Sequence, residues 1–108
     1  MNSASFFVHA VMFGVGLLAL PTAYGQQPRA LLQQYKCDTC HSERETKTGP
    51  AYADLSARYR GDSSAFASLV VFIKQGRRDA GPWHMPPHPE ISDAEARAIA
   101  RYILSVRE

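Results

Sequence analysis

The sequence predicts an all-α domain of about four short helices. Apolar residues recur at spacings of three and four in separate stretches, and helix start and stop residues bound these stretches. No alternating pattern of useful length indicates a strand, and no internal repeat is present. The clearest local signal is the capping box Ser92-Asp93-Ala94-Glu95, which marks the start of the last helix.

The first helix is predicted over residues 28–37, because Pro28 suits the first helical position. Its apolar residues at helical spacing are Leu31, Leu32 and Tyr35. A second helix is predicted from about residue 50 to residue 60, with Gly61 as its stop. Its apolar face comprises Tyr52, Leu55 and Tyr59.

The third helix is predicted to begin after a capping residue among Asp62, Ser63 and Ser64 and to end at Gly76. Its expected buried face consists of Phe66, Leu69, Val70 and Ile73. The fourth helix follows the capping box, and its apolar stripe consists of Ala96, Ile99, Ile103 and Val106. This stripe is expected to pack on the first helix.

The first 25 residues are predicted to be a secretory signal, cleaved after Gly25. No charged side chain precedes Arg29, the stretch 6–20 is mostly apolar, and small residues surround the proposed cleavage point. The mature domain is then 26–108, exported to the periplasm. A membrane anchor that is retained rather than cleaved is the alternative.

Length and charge exclude two classes of protein. A chain of 108 residues is too short for a multidomain enzyme. Its 12 Lys and Arg face 10 Asp and Glu, and the interleaved signs form no basic stripe of the kind that binds nucleic acid. A mature domain of this size buries a marginal core, so a disulfide, a metal or a cofactor is expected to supplement it.

The chemistry is carried by the motif Cys37-Asp38-Thr39-Cys40-His41, which contains both cysteines of the chain. C-x-x-C-H is the attachment signature of c-type haem. Two thiols on one helical turn reach the two vinyl groups of a porphyrin, and the following histidine reaches its iron. The motif therefore predicts thioether bonds from Cys37 and Cys40 and axial ligation by His41.

Two other uses of the cysteines are possible in principle. One is a disulfide or a thioredoxin-like redox pair, but the chain lacks the β-α-β alternation of such a domain. The other is a structural zinc site, which needs two further ligands from His41, His84, His88 or the carboxylates. The disulfide or redox-pair use does not explain why His41 adjoins the second cysteine.

Met85 is the predicted second axial ligand of the iron. It is the one methionine outside the predicted signal, and it lies in Pro82-Trp83-His84-Met85-Pro86-Pro87, where three prolines stiffen the backbone. His84 is the competing ligand and would give a bis-histidine haem. His88 is a further possible ligand but is expected to be a surface residue in a turn.

Taken together, these residues resemble the short bacterial class I monohaem cytochromes c, over residues 31–106. The resemblance rests on the following motifs: Cys37-x-x-Cys40-His41, Gly49-Pro50-Ala51-Tyr52, Ile73-Lys74-x-Gly76, Met85-Pro86-Pro87 and Ser92-Asp93-Ala94-Glu95-Ala96. It implies the cytochrome c fold, with the helices wrapped around one covalently attached haem.

The resemblance also implies roles for particular residues. Cys37 and Cys40 would form the thioether links, His41 and Met85 would be the axial ligands, and the Pro50 carbonyl would accept a hydrogen bond from the His41 ring. In the family a tryptophan several residues before the methionine binds a haem propionate. Here Trp83 stands two residues before the methionine, so Arg77 or Arg78 is the alternative for that contact.

The predicted function is one-electron transfer by a protein that is not an enzyme. The expected partners are other redox proteins, and Lys36, Arg44 and Lys47 near the motif suit an acidic one. The protein is expected to be a monomer or a subunit of a complex. Two alternatives are an electron-accepting subunit of a periplasmic dehydrogenase and a haem-based gas sensor or peroxidase-like protein with an open sixth site.

Overall fold

A computed structural model describes residues 10–17, 27–79, 81–82 and 84–107. Its elements are α1 (Pro28–Gln34), a 3₁₀ turn (Cys37–Thr39), α2 (Tyr52–Arg58), α3 (Ala65–Gln75) and α4 (Asp93–Ser105). The described residues contain no strand, and Arg77 and Met85 form an isolated antiparallel bridge. The predicted all-α fold is confirmed. The predicted cleavage point after Gly25 and residue Trp83 lie outside the described residues.

The first helix is shorter than the sequence predicts. It ends at Gln34 instead of reaching Cys37, because Lys36 adopts a left-handed conformation with φ of 57°. This conformation interrupts the helical hydrogen bonds, and the chain enters the separate 3₁₀ turn at Cys37. The cysteines therefore sit on a turn of their own, beside the helix and not on it.

The second helix begins at Tyr52 rather than at Pro50. Ala51 is its N-cap and is extended, with φ of −62° and ψ of 147°. Pro50 thus stays outside the helix, and its carbonyl faces the His41 ring. In the next turn Asp62 accepts hydrogen bonds from the Ser64 backbone N–H at 2.8 Å and from the Ser64 hydroxyl at 2.7 Å, just before α3.

The fourth helix is the centre of the fold. Its capping box is present: the Glu95 N–H donates to Ser92 Oγ at 3.2 Å, and the Ser92 N–H donates to the Glu95 carboxylate at 3.1 Å. α4 contacts α1, as predicted, and it also contacts α2 and α3. Ala96 and Ala100 are fully buried, and their small side chains let the neighbouring helices approach closely.

The helices bury a small apolar core in which Leu31, Ile91 and Ile99 are the largest fully enclosed side chains. One buried polar group joins two helices, because the Ser56 hydroxyl donates to the Leu104 carbonyl at 2.8 Å. No helix among the described residues is long and apolar enough to cross a membrane. The remaining apolar faces of the helices surround a cavity.

Candidate functional site

A cavity of about 1060 Å³ lies between the helices and the loops that follow the 3₁₀ turn and α3. Cavities that hold small molecules and cofactors typically measure about 300–1,000 Å³, so this one suits a large ligand. All four helices contribute to its wall, which is mainly apolar. Representative lining residues are Leu32, Tyr52, Leu69, Ile73, Ile99 and Ile103.

The C-x-x-C-H motif is wound into one turn at the cavity wall. The backbone N–H groups of Cys40 and His41 both donate to the Cys37 carbonyl, at 3.2 and 3.0 Å. The side chains of all three residues line the cavity, and both thiols are free. The turn thus presents two sulfur atoms and one imidazole to the same space.

The environment of Cys37 disfavours a reactive dithiol. Burial raises the pKa of the Cys37 thiol to about 11, and the negative charge of Asp38 acts in the same direction. Redox-active cysteines have lowered pKa values instead. Within the described ranges, no group of three or more His, Cys, Asp or Glu side chains is placed to hold a metal ion, as a zinc site would require.

The His41 ring is held in one orientation. Its Nδ1 lies 2.7 Å from the Pro50 carbonyl oxygen. Because a carbonyl oxygen only accepts, Nδ1 carries the proton and Nε2 keeps its lone pair. The Tyr52 ring stacks on the imidazole with centroids 5.6 Å apart. A Cβ atom on Gly49 would lie 2.4 Å from His41 Cε1, so only glycine leaves room for the ring.

Met85 enters the cavity from a loop tied to the end of α3. Its backbone exchanges two hydrogen bonds with Arg77, at 2.9 and 3.0 Å. Three residues later the His88 N–H donates to the Lys74 carbonyl at 3.0 Å. The loop is thus fixed at Met85 and again three residues beyond it, and the partly buried side chain of Met85 lines the cavity.

Gly76 makes this loop geometry possible, a role that the sequence pattern alone does not reveal. It has φ of 73° and ψ of −177°, a region that essentially only glycine occupies. A Cβ atom at this position would lie 2.4 Å from the Met85 carbonyl oxygen. From the sequence, this glycine is identifiable as the stop of α3 and as part of the motif Ile73-Lys74-x-Gly76, but neither indicates its contact with Met85.

Replacing Gly76 by Ala is expected to destabilise the protein by about 3 kcal/mol or more, through backbone strain and the clash with Met85. The matched control is Gly61→Ala, since Gly61 has φ of 80° but no atom within 4 Å of the position that a Cβ would take. Gly61→Ala is expected to lower the free energy of unfolding by about 1–2 kcal/mol, from backbone strain alone. Chemical denaturation measures the stability of both variants. Equal losses of stability would contradict the close approach of Gly76 to the Met85 carbonyl.

The other candidate residues of this loop differ in exposure and in whether they line the cavity. His84 is exposed, whereas His88 is partly buried and its Nδ1 lies 3.0 Å from a Glu90 carboxylate oxygen. His88 is therefore less exposed than expected of a surface residue. Arg77 is partly buried and lines the cavity, whereas Arg78 lies outside the lining.

Tyr52 is a further residue whose site role the sequence does not indicate. The periodicity assigns it to the apolar face of a helix, and it is indeed buried. Its hydroxyl donates to an Asp38 carboxylate oxygen at 3.2 Å, which ties α2 to the C-x-x-C-H turn. Burial raises the pKa of this hydroxyl far above its usual value, so it remains a donor.

Two thiols, one imidazole and one thioether therefore line a single large apolar cavity. This donor set fits haem c: the thiols match its two vinyl groups, and the nitrogen and sulfur match the axial ligands of a cytochrome c iron. The fold and the site together define the class of c-type cytochromes.

Comparison with known proteins gives the family. Residues 23–103 match the family described as cytochrome C oxidase, cbb3-type, subunit III. The chain is 35% identical over 95 residues to cytochrome c-551 of Pseudomonas aeruginosa, covering 87% of this chain and 90% of that protein. It is 38% identical over 95 residues to cytochrome c-552 of Hydrogenobacter thermophilus, covering 86% and 91%.

The fold gives the same result. The crystal structure of Nitrosomonas europaea cytochrome c552 matches with a TM-score of 0.67 and 34% identity, covering 73% of this chain and 99% of that one. The chain belongs to the family of small class I cytochromes c, as the resemblance implied. It is a one-electron carrier that contains one covalently bound haem c.

Proposed function

We propose that the protein is an exported electron carrier in which Cys37 and Cys40 bind the haem and His41 and Met85 are its axial ligands. The observation that supports this proposal most directly is that all four side chains line the same cavity. When bound, the haem supplies an iron that changes between the ferric and ferrous states by one electron.

The protein contributes two ligands of fixed orientation. Pro50 holds the proton on Nδ1 of His41, so that Nε2 is available as a neutral donor. The backbone bridge to Arg77 holds Met85, so that a weak thioether ligand stays in place. A haem held by both His41 and Met85 would leave no open position for a substrate at the metal, which favours a carrier over an enzyme. A thioether ligand also favours a high reduction potential.

The wall of the cavity separates the redox centre from water. Its apolar residues disfavour the more highly charged ferric form and so raise the potential further. The mouth of the cavity carries the exposed cations Lys36, Lys47 and Arg58. We propose that electrons pass at this mouth to and from other redox proteins, in small and short-lived contacts.

The N-terminal segment supports export to the periplasm. Val11, Met12 and Phe13 are 72%, 95% and 89% exposed, as expected of a segment that does not belong to the folded domain. We propose that residues 1–25 are the cleaved signal and 26–108 the mature carrier. Export also brings the two thiols to the compartment where bacteria attach haem c.

A redox titration combined with carbon monoxide tests the closed iron site. We expect a reversible one-electron transition, and slow or undetectable binding of carbon monoxide to the reduced protein at neutral pH. Rapid and stoichiometric binding would contradict the assignment of Met85 and support the gas-sensor or peroxidase-like alternative. Purification without a catalytic partner separates a free carrier from a dehydrogenase subunit.

A further inference from the structure

Arg77 differs from the other lysines and arginines that line the cavity. Lys36, Lys47 and Arg58 are exposed, so water screens their charges. The Arg77 side chain is only 31% exposed. Among the described residues of the lining, it is the one lysine or arginine that is partly buried. A charge in this position interacts more strongly with a ligand than a fully solvated one does.

The side chain of Arg77 is held by two contacts and its backbone by a third. The guanidinium lies 4.4 Å above the centroid of the Phe72 ring. Its Nε and Nη2 atoms both donate to Asp79, at 3.2 Å each. Its backbone is bridged to Met85. The side chain is therefore preorganised at the cavity wall, and its location is linked to that of the proposed axial ligand.

Asp79 leaves most of the binding capacity of Arg77 unused. A guanidinium carries five N–H donors in a rigid fork, and Asp79 accepts from two of them. Asp79 is itself 79% exposed, which makes the pair a weak, solvent-screened one. Further N–H donors remain beyond those used by Asp79 and the nearby Tyr59 hydroxyl. Because Arg77 lines the cavity, a carboxylate there is the group whose geometry fits the fork best.

The charges around the cavity favour this end for an anion. The negative charges near the Cys37 thiol are those of Asp38 and Glu90. The cations at this end are Lys36 and Lys47, whose Nζ donates to the Asp38 carbonyl at 3.1 Å; both are exposed, so water screens their attraction for a ligand carboxylate. Arg77 lies beside Tyr59 and Asp79 instead, and supplies the positive charge of the wall there. The two carboxylates of a haem are on the pyrrole rings that do not form the thioether bonds. They therefore lie away from the thiols.

We propose that Arg77 binds a propionate carboxylate of the haem through its guanidinium. This inference rests on the proposed function, because it assumes a haem attached at Cys37 and Cys40. It assigns the propionate contact to Arg77 and excludes Arg78, which lies outside the cavity lining. Replacing Arg77 removes a positive charge close to the haem, so the ferrous state loses stabilisation and the reduction potential falls.

The test compares Arg77→Gln with Arg78→Gln in the purified holoprotein. Each variant removes one positive charge from adjacent positions, so Arg78→Gln accounts for the long-range effect of net charge. We expect Arg77→Gln to shift the ferric/ferrous equilibrium several-fold to about tenfold, where tenfold corresponds to ~59 mV for one electron. We expect Arg78→Gln to shift it little.

A second readout observes the carboxylate itself. Reduced-minus-oxidised infrared spectra are recorded with the haem carboxylates isotopically labelled through labelled aminolaevulinate in the growth medium. The labelled carboxylate bands are expected to move in Arg77→Gln and to stay in place in Arg78→Gln. Arg77→Lys keeps the charge but loses the fork, so it is expected to restore most of the potential while its carboxylate bands remain shifted.

Equal potentials and unmoved carboxylate bands in Arg77→Gln and Arg78→Gln would overturn the proposal. If Arg77→Gln yields no holoprotein, Arg77→Lys decides the question through the carboxylate bands alone. The wild-type spectrum distinguishes a failure of the proposed function from a failure of the role proposed for Arg77. A wild type without haem c contradicts the proposed function, whereas intact haem c with unmoved bands contradicts only the role of Arg77.

Discussion

Replacing both Cys37 and Cys40 by Ser is expected to give a protein without covalent haem and without a stable fold. The cavity of about 1060 Å³ separates apolar faces of the helices, which would lie open to water without a ligand between them. A domain this small has a marginal core even when it is well packed. Haem, if bound at all, should be extracted by acid acetone, and circular dichroism should show loss of most helical signal.

Thr39→Ala is the matched control for this variant. Thr39 lies on the same 3₁₀ turn and is exposed. The control should retain haem after acid acetone treatment and unfold cooperatively. A double-serine protein that is free of haem and still unfolds cooperatively, at the denaturant concentration of the control, would contradict the structural role assigned to the cofactor.

Replacing Met85 by Ala is expected to open the sixth position of the iron and to lower the potential. The weak near-infrared band of methionine bound to ferric iron should disappear, and carbon monoxide should bind to the reduced protein. Axial ligands set haem potentials over a range of ~0.8 V, so a fall on the order of 0.1 V is expected. The backbone bridge between Arg77 and residue 85 does not depend on the side chain and should persist.

Met85→Leu separates ligation from packing. Leucine has nearly the volume of methionine but no sulfur, so it should preserve stability to within about 1.5 kcal/mol while the band is lost. Should the band persist in either variant, or be absent from the wild type, Met85 is not the ligand. In that case His84 is the neighbouring candidate, and a bis-histidine spectrum would identify it.

The fold class and the cofactor could be predicted because their signals are local. The capping box sets the start of α4 through two hydrogen bonds within four residues, and both are present. The C-x-x-C-H motif likewise contains its whole chemistry in five consecutive residues. Local patterns of this kind do not depend on how distant segments pack.

The predicted ends of α1 and α2 were wrong because the observed ends depend on interactions that the apolar periodicity does not report. The apolar spacing of α1 continues to Tyr35, but the left-handed conformation of Lys36 ends the helix before Cys37. The sequence pattern includes Pro50 in α2, but this residue remains outside the helix, where its carbonyl accepts from His41. In both cases the backbone conformation of a single residue, Lys36 or Ala51, sets an end of the helix where the apolar spacing would continue it.

The contacts around Met85 were beyond the sequence for the same reason. The approach of Gly76 to the Met85 carbonyl and the stacking of Arg77 on Phe72 join residues through the tertiary fold. Arg77 and Arg78 are adjacent and chemically identical, so no sequence pattern distinguishes them. Only their positions in the fold do, since one side chain lines the cavity and the other does not.

The central claim is that one haem is bound covalently to Cys37 and Cys40, and its most direct test is the absorption spectrum of the pyridine derivative. The measurement uses protein purified after export, with reduced-minus-oxidised spectra and a count of free sulfhydryl groups. We predict the spectrum of a haem with two thioether bonds and no free thiol. A colourless protein that is stably folded and has both thiols unmodified would contradict the claim.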